Sequence, residues 1–153
     1  TLELAGLPVS VVGEVSKYNK LDLEVDVCSD LMIKHKAGAI SQIHLDYIQQ
    51  PAHRSGLITF EMGWLSYDFT RMELIGQRKN NDTRIIWSDQ NYDYNQAYID
   101  QMVEFVRFVE EGRLKHKYDA KSSIESLKVV ESLFESSNSG RKVSIERNER
   151  FSF

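Results

Sequence analysis

The sequence predicts an α+β fold: an open, mainly antiparallel β-sheet with helices packed on one face. Two observations predict it. Short strand-like runs follow one another from Val9 to Ser88, several with apolar residues at every second position, and from Asn95 onward the apolar residues recur at helical spacing instead. A run of strands followed by a pair of helices belongs to an open sheet with the helices gathered on one side.

Each element has its own warrant. "LELAGLP" reads as the end of a helix broken by Gly6 and Pro8, and Val9 to Val15 as a β-branched strand. From Val25 to Lys34 the side chains alternate, with Val25, Val27, Leu31 and Ile33 on one side and Asp26, Cys28, Asp30 and Lys34 on the other. "HKAG" turns the chain and "AISQIHLDYIQ" returns it, so residues 25–49 read as a long hairpin. "LITFEM" and "WLSYDF" make a second hairpin about Met62 and Gly63. "RMELIG" and "RIIWS" make a third, with the polar tip "QRKNNDT" between them. Tyr98, Met102, Phe105 and Val109 share one face of a helix that Gly112 ends. A second helix begins near Asp119, turns Ile124, Leu127, Val130 and Leu133 or Phe134 inward, and stops at "SNSG". Both apolar helix faces read as core. "KVSI" is a last strand and "ERNERFSF" an exposed tail. Trp64, Tyr67, Phe69, Ile86 and Trp87 exceed what two helices need to cover, so an apolar sheet face is expected to serve as an interface between copies of the chain.

With 153 residues, 41% hydrophobic and 27% charged, the chain reads as one domain spanning 1–153. A net charge of −4 with interspersed signs leaves no basic stripe for a phosphate backbone, so nucleic acid is not an expected partner. No apolar run reaches the roughly 20 residues of a spanning helix, and the first residues lack a signal-peptide pattern. The lone Cys28 forms no internal disulfide and suits the cytoplasm. The chain opens at Thr1 and its first methionine is Met32, which reads as a piece of something longer.

Chemistry is sparse. His35, His44, His53 and His116 stand at no metal-ligand spacing, and one cysteine makes no thiolate cluster, so no metal site is expected. There is no G-x-S-x-G elbow, and the glycines at 6, 13, 38, 56, 63, 76, 112 and 140 form no phosphate-binding loop. A hydrolase or lyase built on Asp46 and His44 would work without nucleotide, but few ingredients of an activated nucleophile surround them. "HLDYIQQPAHR" remains. Alternation puts His44 and Asp46 on one face and Tyr47 and Gln49 on the other, Pro51 ends the strand, and the loop beyond brings His53 and Arg54 to the same sheet end. Two readings stand side by side. In one, His53 and Arg54 are solvated and His44 pairs with Asp46 across a surface. In the other, Tyr47, Gln49, His53 and Arg54 line a substrate pocket, with the arginine fork offered to a carboxylate or phosphate.

"HLDYIQQPAHRSGLITFEMGWLSYDF", "YIDQMVEFVRFVEEGR" and "DAKSSIESLKVVESLFESSNSGRKVSI" together resemble the Gfo/Idh/MocA oxidoreductases, over about Pro8 to Ile145. "DYIQQPAHR" is similar to a variant seen in members linked to acidic or amino sugar biosynthesis, departing from it at Gln50, and Phe60 replaces the first glycine of the family's hairpin signature. The resemblance implies a two-domain NAD(P)-dependent enzyme acting on a sugar, sugar acid or sugar-nucleotide. This chain would be its C-terminal substrate and oligomerisation domain, inert alone, with NAD or NADP bound mainly by a domain outside it. The family's Glu-Lys-Pro lysine has no counterpart, since Pro8 and Pro51 follow Leu7 and Gln50. No catalytic or cofactor-binding residue is therefore expected within the chain. The alternative is a stand-alone, non-catalytic dimerisation or ligand-binding module.

Overall fold

A computed structural model describes residues 1–17, 24–112 and 120–145. Along the chain come α1 (Leu2–Ala5), β1 (Pro8–Ser16), β2 (Cys28–His35), β3 (Ile40–Asp46), β4 (Ser55–Phe60), β5 (Gly63–Asp68), β6 (Glu73–Arg78), β7 (Arg84–Ser88), α2 (Tyr94–Glu110), α3 (Ala120–Ser139) and β8 (Val143–Ser144). The α+β class with open antiparallel sheets is present, and the strands divide between two four-stranded sheets, β3-β2-β1-β8 and β4-β5-β6-β7. These belong to two compact units, Thr1–Ile48 with Lys115–Phe153, and Gln49–Leu114. The expected helix cap at Asp119 and the tail from residue 146 lie outside the described residues.

The first unit holds the core. Val11, Leu31 and Ile33 from the sheet meet Val129 and Leu133 from α3, all buried. Alternation along β2 does what the sequence predicts: Leu31 and Ile33 point to the helix and Asp30 and Lys34 point away. His35 is also buried; its Nδ1 lies 2.8 Å from the Gly6 carbonyl, which can only accept, so that nitrogen carries hydrogen, and Nε2 meets the Ser41 hydroxyl at 2.9 Å.

The seating of α3 on β1 departs from expectation. Leu133 turns inward as expected, but Ile124, Leu127, Val130 and Phe134 are all exposed, and the rest of the inward face is Val129, Ser132 and Ser136. Hydrogen bonding decides this rotation. Strand β8 pairs with Ser10 and Val11 of β1, and the Ile145 amide donates to the Val9 carbonyl, so among the described residues the edge beyond Val11 needs other partners. Ser136 Oγ accepts from the Gly13 amide at 3.1 Å and donates to the Arg141 carbonyl at 2.6 Å, while Ser137 Oγ accepts from the Val15 amide at 3.0 Å. Gly13 makes the approach possible: a Cβ there would stand 2.6 Å from Leu133 Cδ1 and 2.3 Å from the Asp30 carbonyl.

The second unit is a meander of three hairpins followed by α2. Trp64 and Tyr67 fall on opposite faces of β5, and Trp64 Nε1 donates to Gln77 Oε1 at 3.1 Å. Helix α2 starts where Asp93 accepts from the Asn95 amide at 2.9 Å, and just past its end Gly112 takes φ +60°. Its apolar side does not form core as expected. No α2 residue is buried, and Tyr98, Met102, Phe105 and Val109 are all more than half exposed. The helical period predicted the helix correctly but says nothing about whether a covering surface exists. No helix among the described residues is long and apolar enough to cross a membrane.

Ser136→Ala is expected to lower stability by about 1–3 kcal/mol, because the Gly13 amide and the Arg141 carbonyl both lose their partner. Urea unfolding followed by circular dichroism reads the shift, and an unchanged midpoint would remove the serine from this role.

Candidate functional site

The site grows from the β4–β5 hairpin of the second unit. Gly56 pairs with Tyr67 across the two strands, and the Tyr67 ring lies over the glycine so closely that a Cβ would stand 2.4 Å from Cζ. The missing side chain lets the ring lie down. Tyr67 packs against Phe69 with centroids 5.3 Å apart, and the Arg54 guanidinium sits 5.2 Å from the Phe69 centroid. This is a cation–π contact, which holds the arginine fork over an aromatic floor without consuming its hydrogen-bond donors. The backbone fixes the same pair, since the Phe69 amide donates to the Arg54 carbonyl at 2.8 Å.

The turn after β5 closes one side. Asp68 Oδ1 accepts from the amides of Thr70 and Arg71 at 2.8 and 3.0 Å. The Arg71 amide above all, then the Thr70 amide and the charges of His53 and Arg71, hold the Asp68 carboxyl below its ordinary value, with partial burial opposing them. Met72 follows with φ +49°, a left-handed conformation uncommon for a side chain of its kind, and its carbonyl accepts from the Asp89 amide at 3.0 Å. On the other side stand Tyr92 and Tyr94, edge to face at 5.4 Å, with the Tyr94 hydroxyl donating to the Phe69 carbonyl.

Between these walls lies a cavity of about 460 Å³, lined by Ala52, His53, Arg54, Phe69, Thr70, Met72, Tyr92, Tyr94 and Ala97. The size falls in the roughly 300–1,000 Å³ range of small-molecule sites. Its chemistry is a few polar groups among aromatic rings: the Arg54 fork, the Thr70 hydroxyl, and His53, whose Nε2 meets Ser55 Oγ at 2.7 Å. Such a site can bind and orient a polar ligand with an apolar face.

Of the four residues singled out in the sequence, His53 and Arg54 line this cavity. Gln49 is exposed on the approaching loop, ahead of the cis Gln50–Pro51 bond, and is not on the wall. Tyr47 belongs to the first unit and is 75% exposed. His44 does meet Asp46, at 3.0 Å. Sequence reasoning did not place Thr70, Met72, Tyr92, Tyr94 and Ala97 here. The only local signal was the pair of tyrosines flanking Asp93, a recognisable helix cap.

No family model matches the chain, and no curated protein matches it. Solved structures do, and they show that its fold is one found in oxidoreductases. A levoglucosan dehydrogenase, in complex with NADH and levoglucosan, is similar at TM-score 0.83 and 15% identity over 95% of this chain and 47% of that one. An aldose-aldose oxidoreductase from Caulobacter crescentus, complexed with glycerol, is similar at TM-score 0.74 and 19% identity over 94% and 43%. An oxidoreductase from Agrobacterium radiobacter, in complex with NAD+, L-tartaric acid and magnesium, is similar at TM-score 0.76 and 14% identity over 94% and 45%. The chain thus spans less than half the length of each of these three proteins.

The turn at Asp68 sets a pH expectation. A folded-state value lowered from 3.8 means that the fold favours the carboxylate, so its contribution is present above the unfolded value and is lost as pH falls through the folded one. The amide resonances of Thr70 and Arg71 should therefore titrate with a midpoint below pH 3.8. A midpoint at or above that value would show that the turn does not depend on the charge.

Proposed function

We propose that this chain is the substrate-binding and oligomerisation domain of an NAD(P)-dependent oxidoreductase acting on a sugar, sugar acid or sugar-nucleotide, and that it is inactive by itself. The observation that carries the reading is the Arg54 fork held over Phe69 in the wall of a cavity lined by aromatic rings, within a fold found in oxidoreductases. A sugar presents a C–H face that packs on aromatic rings and hydroxyls that take hydrogen bonds, and an acidic substituent would take the arginine fork.

In this reading Arg54 binds and orients an anionic group, His53 and Thr70 serve hydroxyls, and Phe69, Tyr92 and Tyr94 exclude water from the buried face. NAD or NADP supplies the hydride exchange when bound. The sequence has no glycine-rich turn for a pyrophosphate, so the cofactor is assigned mainly to a domain outside the chain. The family resemblance places that domain before this one, and the cytoplasm is the compartment the reading assumes. Oligomerisation is assigned to an open sheet face of the second unit, where Leu57, Ser66, Ile75 and Ile85 form one cross-strand row and Leu57 and Ile85 are 66% and 65% exposed.

Arg54→Ala in the full-length protein is expected to raise KM for an acidic sugar roughly 10- to 100-fold, about 1.4–2.7 kcal/mol of binding, with kcat little changed. An unaltered KM would remove the arginine from substrate binding. Turnover of NAD(P)H by the isolated chain would overturn its inactivity. If no full-length context supports turnover, the stand-alone binding module is the better reading.

Light scattering of the chain at concentrations of tens of micromolar is expected to give a mass of two or more copies. A monomer would contradict the interface.

A further inference from the structure

We propose that Cys28, Asp30 and His44 form a binding site for a divalent transition-metal cation of the zinc class, on the face of the first sheet that points away from α3. The site is independent of the oxidoreductase reading and lies in the other unit from the cavity.

Strand pairing builds it. β2 and β3 run antiparallel with Cys28 opposite Asp46 and Asp30 opposite His44, so two adjacent cross-strand pairs put a thiol, an imidazole and two carboxylates together. One ligand atom from each of Cys28, Asp30 and His44 lies within 4.8 Å of the others. Cys28 Sγ stands 3.7 Å from Asp30 Oδ2, and His44 Nδ1 stands 2.7 Å from Asp30 Oδ1. Around a tetrahedral ion with bonds of about 2.0–2.3 Å, donor atoms stand roughly 3.3–3.6 Å apart. The sulfur–oxygen edge is therefore already near its liganded length. The nitrogen contact runs to the other oxygen of Asp30, so the carboxylate must turn to offer one oxygen to both neighbours and the nitrogen–oxygen edge must open by about half an ångström, a rotation open to side chains that are 56% and 64% exposed.

A fourth residue fixes the ring. His44 Nε2 lies 3.0 Å from Asp46 Oδ2, and the other oxygen of Asp46 accepts from the Ile48 amide at 2.7 Å. Asp46, with its side chain only 11% exposed, is anchored by backbone and turns Nδ1 toward Cys28 and Asp30. A carboxylate on the far nitrogen of a ligating histidine is the usual outer support of such sites. Thiolate, imidazole and one carboxylate select a zinc-class ion over magnesium or calcium, and three protein ligands leave a fourth position for water. A histidine that merely bridges two aspartates would explain Asp30 and Asp46, but not the thiol set against the same carboxylate.

Titration of the reduced chain with Co²⁺ alone tests the site. The expected result is saturation at one equivalent, with a thiolate-to-cobalt charge-transfer band in the near ultraviolet and tetrahedral bands in the visible, both abolished by Zn²⁺ and untouched by Mg²⁺. Cys28→Ser should lose the charge-transfer band. Asp46→Asn should keep it and bind about 10- to 100-fold more weakly. His44→Gln should weaken binding at least as much, and circular dichroism confirms that the variants are folded. No charge-transfer band in the parent chain, the same band in Cys28→Ser, or unchanged affinity in His44→Gln would overturn the proposal.

Discussion

Two seryl hydroxyls on α3 govern the first unit. Because the pairing with β8 does not extend past Val11, the outer edge of β1 is left with amides at Gly13 and Val15, and Ser136 and Ser137 take them. Everything near that contact follows. The helix must come close, so position 13 carries no side chain and Leu133 fills the space. The helix face is then set by the serines, which leaves Val129 and Leu133 to complete the core with Val11, Leu31 and Ile33. Once β2 commits those residues to the helix side, its remaining side chains, Cys28 and Asp30 among them, have no choice but the opposite face. Burial first, and then the charge of Asp30, push the Cys28 thiol above its ordinary value there, while hydrogen bonds to Asp30 and Asp46 raise His44.

Strands and turns were legible because their signals are local. Alternation about Leu31 and Ile33, the polar tip before Thr83 and the glycine after α2 each act within a few residues. The face of α3 was legible only at Leu133. Hydrophobic periodicity nominated Ile124, Leu127 and Val130, whereas the helix is oriented by hydrogen bonds to an edge whose incompleteness depends on the length of a strand near the other end of the chain. Reading the strands as one sheet had a similar origin: nothing local distinguishes a strand that continues a sheet from one that starts another.

Legibility of the candidate site divides in the same way. His53 and Arg54 stood out as polar residues after a proline, and both line the cavity. Tyr47 and Gln49 came in on alternation alone, which specifies a face but not a neighbour. The residues that shape the cavity do so across strands. Gly56 makes room for Tyr67, Tyr67 braces Phe69, and Phe69 seats Arg54, a relay in which each step joins residues more than ten positions apart or on different strands, apart from the Tyr67–Phe69 contact. The cluster of Cys28, Asp30 and His44 has the same character, since ligands contributed by paired strands leave no spacing motif.

Tyr94 is both a wall of the cavity and the first residue of α2, and its hydroxyl is fastened to the Phe69 carbonyl. The helix is a rod of about 25 Å whose near end is thus bolted to the aromatic floor. A swing of that rod would act directly on the Tyr94–Phe69 hydrogen bond. Whatever grips the uncovered apolar stripe of α2 therefore holds a mechanical handle on the cavity, and tightening or loosening that grip would be felt as a change in the shape offered to a ligand.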